Sequence, residues 1–149
     1  MPCVIRSARR NDLPLLARMN QHLIEDEESR NPMSLPQLEE RLERWMSEEQ
    51  EICLFEESGN PIGYCIYGVF PDNYLPQLST AYIRHFFISR AHRKAGLGRE
   101  ALECLIESRL PAQCRITLDV LATNTGGAQF WAKMGFAPYS MSLLRLKGE

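Results

Sequence analysis

The stretch HRKAGLGREA, residues 92–101, sets two glycines among basic residues immediately ahead of an apolar-striped segment. Gly96 and Gly98 carry no Cβ, so the backbone N–H groups beside them can approach an anion closely. The helix predicted from Leu97 onward adds unpaired N–H groups and the positive end of its dipole at the same place. Arg93, Lys94 and Arg99 supply fixed positive charge around it. A pyrophosphate suits such a loop. A plain glycine turn before a helix would carry the same residues, so the flanking segments decide between the two.

On the C-terminal side, Ala101, Leu102, Leu105, Ile106 and Leu110 recur at helical spacing, and Pro111 stops the helix. CRITLDVL (114–121) alternates Cys114, Ile116, Leu118 and Val120 with polar residues and predicts a strand. TGGAQFWAKMGF (125–136) predicts a short helix closed by Gly135, and PYSMSLLRLK (138–147) a last strand. On the N-terminal side, EICLFEE (51–57), PIGYCIYGVF (61–70) and TAYIRHFFIS (80–89) are three β-rich runs, the first two joined by a hairpin turn at SGN (58–60). SLPQLEERLERWMSEEQ (34–50) opens with Ser34 and Gln37 in capping-box spacing and stripes Leu38, Leu42, Trp45 and Met46 along one face. NDLPLLARMNQHLIED (11–26) predicts another helix, which Asn11 or Asp12 can cap, after a short strand at Val4 and Ile5. The 149 residues therefore predict one α/β domain, 1–149, a mixed sheet with helices packed on it.

A net charge of −2 argues against a surface that grips nucleic acid. No apolar run is long enough to span a membrane and the N-terminus shows no signal-peptide pattern, so no membrane partner and a cytoplasmic location are expected. The five cysteines include no C-x-x-C pair, and His22, His85 and His92 share no ligand spacing, so neither a disulfide framework nor a metal is expected.

Four pieces in order, FFIS (86–89), RKAGLG (93–98), LDVLATN (118–124) and FWAKMGF (130–136), resemble the GNAT family of acetyl-CoA-dependent N-acetyltransferases. The family signature is Arg or Gln, two residues, Gly, one residue, Gly or Ala; Arg93, Gly96 and Gly98 match it. So short a pattern recurs by chance, but here it lies between an aromatic strand and an amphipathic helix with the other pieces downstream. The resemblance implies a GNAT-like acyl-CoA N-acyltransferase fold with acetyl-CoA as co-substrate. Its pyrophosphate would lie against Arg93, Lys94, Ala95, Gly96, Leu97, Gly98 and Arg99, and its pantetheine arm would pair with the backbone of Phe87, Ile88 and Ser89 as an added strand does. Asn124 stands where the family often contacts the pantetheine or the neighbouring strand; a helix cap is an equally open reading of the same residue.

Trp131 takes the position, seven residues after that asparagine, where the family commonly places a tyrosine that protonates the departing thiolate. An indole N–H donates a hydrogen bond but is no acid, which leaves Tyr82 and Tyr139 as candidate catalytic donors. Strand alternation sets Tyr82, Arg84 and Phe86 on one face and His85 on the other, unless a bulge shifts the register. The acceptor segment implied by the resemblance is HLIEDEESRNPMS (22–34), whose acidic run Glu25–Glu28 reads either as a solvated helix end or as the group that attracts an amine. Glu27 and Glu28 are the candidates within it. Arg84 would pair with a substrate carboxylate or phosphate, or with one of these acids. The expected acceptor is a small-molecule amine that also carries an acid group. A protein lysine or N-terminus, or a module that binds acetyl-CoA without turnover, are the alternatives, and a homodimer is common for such folds.

Overall fold

A capping box and a two-residue turn fix the first half of the chain in the computed structural model, which describes residues 3–48 and 50–148, with Lys94 and Ala95 by backbone alone. Strand β1 (Val4–Ser7) leads into helices α1 (Leu13–Asp26) and α2 (Leu35–Met46). At the start of α2 the Gln37 N–H donates to the Ser34 hydroxyl at 3.4 Å, and the Ser34 N–H donates to the Gln37 carbonyl oxygen at 2.8 Å. Strands β2 (Glu51–Glu57) and β3 (Asn60–Pro71) are joined by Ser58 and Gly59, both left-handed with φ of 52° and 81°. Two consecutive left-handed residues give the turn the twist that a right-handed hairpin requires.

Strand β4 (Ser79–Ile88), helix α3 (Leu97–Arg109), strand β5 (Cys114–Leu118) and helix α4 (Thr125–Lys133) complete the elements. The sheet runs β1-β2-β3-β4-β5, antiparallel through β4, with β5 parallel to β4. Helix α3 makes the crossover that a parallel pair needs. Alternation along β2 and β3 divides the core between the two faces. Leu54, Tyr64 and Ile66 join Leu16, Leu38 and Leu42 under α1 and α2, whereas Phe55, Ile62 and Cys65 join Ala101, Leu102 and Leu105 under α3. Both faces of the central strands are covered, which is why their sequences read as nearly unbroken apolar runs.

Three expectations need correction. Asp12 does not cap α1; it accepts from the Arg9 N–H at 2.7 Å and pairs with Arg6 at 2.9 Å, holding a single 3-10 turn ahead of the helix. Strand β5 ends at Leu118, short of the expected Leu121. The last expected strand does not form: residues 137–148 carry no helix or strand and pair with neither edge strand of the sheet among the described residues. Among the described residues the cysteines are free thiols, no cluster could hold a metal, and no helix is long and apolar enough to cross a membrane.

Candidate active site

The site begins where two strands part. β5 pairs only with Ser79–Ile83, so residues 84–88 of β4 have no strand neighbour on that side among the described residues. A cavity of about 430 Å³ opens in the gap. Leu23, Asp26 and Glu27 from the end of α1 line it together with Phe86, Phe87 and Ile88 of β4. Arg93 and Gly98 from the loop and the start of α3, and Asn124, Gly126, Gly127, Phe130 and Trp131 in and before α4, complete the lining.

The loop between β4 and α3 explains the two glycines separately. The Ser89 N–H donates to the Ile62 carbonyl at 2.7 Å, ending the strand, and a 3-10 turn follows over Arg90–Ala95. Gly96 is left-handed, with φ of 75°, so it is there for its conformation. Gly98 is there for space: a Cβ would lie 3.0 Å from the Phe130 ring. Arg93 does more than supply charge. Its Nε donates to the Ile88 carbonyl at 2.8 Å, its guanidinium sits 5.2 Å from the Phe87 ring centre, and it pairs with Asp26. Arg90 reaches Asp26 at 2.9 Å and Glu25 at 3.1 Å, so the acidic end of α1 is tied to this loop. The glycines at the start of α3, next to a strand edge that has no strand neighbour among the described residues, fit a pyrophosphate continued by an amide-bearing arm. Leu97 begins the helix with its side chain in the core, and Arg99 is exposed. The side chains of Lys94 and Ala95 lie outside the described residues.

Asn124 caps α4: its Oδ1 accepts from the Gly127 N–H at 2.9 Å. A Cβ on Gly127 would fall 2.3 Å from the Asn124 side chain, so glycine makes room for this cap. Asn124 also lines the cavity. Trp131 is packed edge-on against Phe86, Phe130 and Phe136 with ring centres 4.9–5.3 Å apart.

The polar candidates separate into those the fold brings to the cavity and those it does not. Glu27 lines it, and burial, with Asp26 adding to it, raises its carboxyl above the ordinary range. Glu28 follows with φ of 53°, turning the chain out of α1, and does not line the cavity. Neither tyrosine proposed as a proton donor reaches it. Tyr82 donates to Asp119 at 2.8 Å and is pushed up to about 12, by burial first, while Tyr139 is 81% exposed beside Arg115. Arg84 stands apart from the cavity as well. The sheet register skips it between Ile66↔His85 and Tyr67↔Ile83, a bulge that brings Arg84 and His85 together against Trp45. Simple alternation had placed these two on opposite faces. Arg41 covers the same indole at 4.5 Å, and the Tyr64 hydroxyl lies 3.0 Å from His85 Nδ1.

Sequence reasoning did not single out Asp26 or Phe130 for the site. Asp26 could have been found from charge complementarity, since Arg90 and Arg93 sit three residues apart just after the strand it faces.

A parted β4–β5 pair with a glycine-opened helix beside the gap is the arrangement of an acyl-CoA-dependent acyltransferase. The family model described as the acetyltransferase (GNAT) family matches residues 16–136, and the chain belongs to that family. No curated protein matches the sequence. Among solved structures, a "possible acetyltransferase" from Clostridium difficile 630 is similar, with TM-score 0.77 at 12% identity over 99% of this chain and 98% of that one. A Trypanosoma brucei acetyltransferase gives TM-score 0.68 at 20% identity over 97% and 99%. A ribosomal-protein-alanine N-acetyltransferase from Brucella melitensis gives 0.71 at 16% over 97% and 99%. At these identities the likeness speaks for the fold.

Proposed function

We propose that this acetyltransferase moves an acetyl group from acetyl-CoA to the primary amine of a small molecule, by direct attack while both substrates are bound. One observation carries the reading: a free strand edge, a glycine-opened helix terminus and a desolvated carboxylate share a single cavity. In this reading the pyrophosphate takes the backbone of residues 93–99, the pantetheine arm follows Phe87, Ile88 and Ser89, and Asn124 and Trp131 close over it.

The neutral amine attacks the thioester carbon, forming the N–C bond as the C–S bond breaks. Glu27, directly or through water, takes the ammonium proton, and its raised carboxyl makes it the better base. A backbone N–H near Ile88 polarises the carbonyl as an oxyanion hole does. No tyrosine lines the cavity among the described residues, so the thiolate leaves without a dedicated acid, which its ordinary pKa of about 8.5 permits. An acid group on the acceptor would have to extend beyond the cavity to reach Arg84, which does not line it and has no carboxylate partner among the described residues.

Thiol release from acetyl-CoA tests this across amino acids, polyamines, aminoglycosides, lysine peptides and N-terminal peptides. Turnover is expected with amino acids. Activity confined to polyamines or peptides overturns the acceptor assignment, and tight CoA binding with no turnover overturns the enzymatic one.

A further inference from the structure

Arg41, Arg44 and Arg84 come near one another on the side of the sheet that α1 and α2 cover, and among the described residues none of them pairs with a carboxylate. The Arg41 guanidinium lies 4.5 Å and that of Arg84 5.1 Å from the ring centre of Trp45, so one indole carries two cations. Arg41 and Arg44 also line a surface depression of about 230 Å³ with Met33, Gln37 and Glu40. The acids of α2 do not supply the missing charge. Glu43 is taken by Arg10 at 2.9 Å, and Glu40 lines the depression without an ion pair to either arginine.

The donors beneath are unsatisfied as well. Arg41 Nη2 donates to Asn20 Oδ1 at 3.1 Å, yet Arg41 Nε and Asn20 Nδ2, both shut off from solvent, donate to nothing among the described residues. Asn20 is only 1% exposed. A buried donor without an acceptor costs stability, and native folds keep few of them. Burial opposes the charge on Arg41, and Arg44 and Arg84 add repulsion. The same two guanidiniums at Trp45 help burial to keep the adjacent His85 ring neutral. Positive potential is concentrated here without an anion to meet it, and the planar fork of arginine matches a carboxylate.

We propose that Arg41 and Arg84, oriented by Trp45 and backed by Asn20, form a binding site for the carboxylate of a small molecule. A single negative charge suits it better than a phosphate, because Glu40 already adds one to the depression. The ligand has two sources: the acid end of an acceptor whose amine sits at Glu27, or a separate organic acid. Arg84 precedes the cavity-lining Phe86 by two residues, roughly 7 Å of strand, so an acceptor that joins the two places holds its amine and its acid several bonds apart. The first source rests on the acetyl-transfer reading above; the carboxylate site does not.

Titration of the full chain with propionate tests the site, followed by the Arg41 Nε–H resonance in proton–nitrogen NMR and by tryptophan fluorescence. Chloride and inorganic phosphate at matched ionic strength are the comparators. A saturable shift is expected with propionate. Arg84→Gln, at an exposed position, should leave Tm unchanged and weaken propionate binding roughly tenfold through the loss of charge-assisted hydrogen bonds. Arg41→Lys, which keeps the charge and loses the fork, should weaken it as much. A response to chloride or phosphate as strong as that to propionate, or propionate binding that survives Arg84→Gln, overturns the proposal. KM for ε-aminocaproate against hexylamine then separates the sources. Arg84→Gln raises the ratio if the acceptor's own acid is held here and leaves it unchanged if a separate acid is. Absence of turnover with any amine refutes the acetyl-transfer reading, while the propionate titration still decides the site.

Discussion

A Cβ built on Gly98 would stand 3.0 Å from Cε1 of Phe130, so the first turn of α3 and the aromatic wall of α4 meet where the sequence has no side chain. Gly98→Val must both displace Phe130 and block the approach to the helix N–H groups. CoA affinity is expected to fall at least tenfold, read by isothermal titration, while overpacking of about 1–3 kcal/mol lowers Tm by several degrees. Gly96→Ala, with nothing within 4 Å of the new Cβ, meets only the left-handed backbone cost of about 1 kcal/mol. Unchanged CoA affinity in a folded Gly98→Val protein would refute the pyrophosphate assignment.

Glu27 sets activity against stability. Its carboxyl titrates above the ordinary 4.5 because of burial, with Asp26 adding to it. The folded state thus holds that proton more tightly than the unfolded chain, and stability falls as pH climbs from 4.5 through the raised value. At neutral pH the ionised group weakens the fold. Glu27→Gln is expected to lower kcat about 100-fold or more, to abolish the acidic limb of the pH–rate profile, and to leave Tm equal or higher. A Tm loss with unchanged kcat would show the residue to be merely structural.

His85 has the opposite sign. Burial, with Arg41 and Arg84 beside it, pushes its ring down to about 3 from 6.5. Tyr64, whose hydroxyl burial holds well above its usual range, keeps its proton and lies at hydrogen-bond distance, 3.0 Å, from Nδ1. The unfolded chain binds the extra proton first, and stability present above 6.5 is lost as pH falls toward 3. An NMR titration should find the ring neutral at pH 5, and His85→Gln should flatten the acid side of the stability curve.

The loop and the elements around it were legible because glycine spacing, apolar periodicity and capping chemistry are local. Arg93, Gly96, Gly98 and the Ser34–Gln37 box follow from neighbours within four residues. The face on which Arg84 and His85 lie was not legible, because a bulge is decided by pairing with β3, far away in the chain. Of the two readings of Asn124, the helix cap is the one the structure shows, and the residue lines the cavity as well. The tyrosines misled for a similar reason: Tyr82 finds Asp119 across two strands, and residue type alone cannot reveal that partner. The closing strand failed because alternation shows that a segment is fit to pair without saying with what.

The parting of β4 from β5 has a consequence for how this scaffold can change. A strand edge offers the same N–H and C=O groups whatever side chains it carries. A ligand arm held there is indifferent to substitution at Arg84, His85 or Phe86, so long as the strand keeps its path. On the proposed reading, the side chains that line the cavity can therefore be exchanged one by one while the backbone grip on the donor arm stays the same.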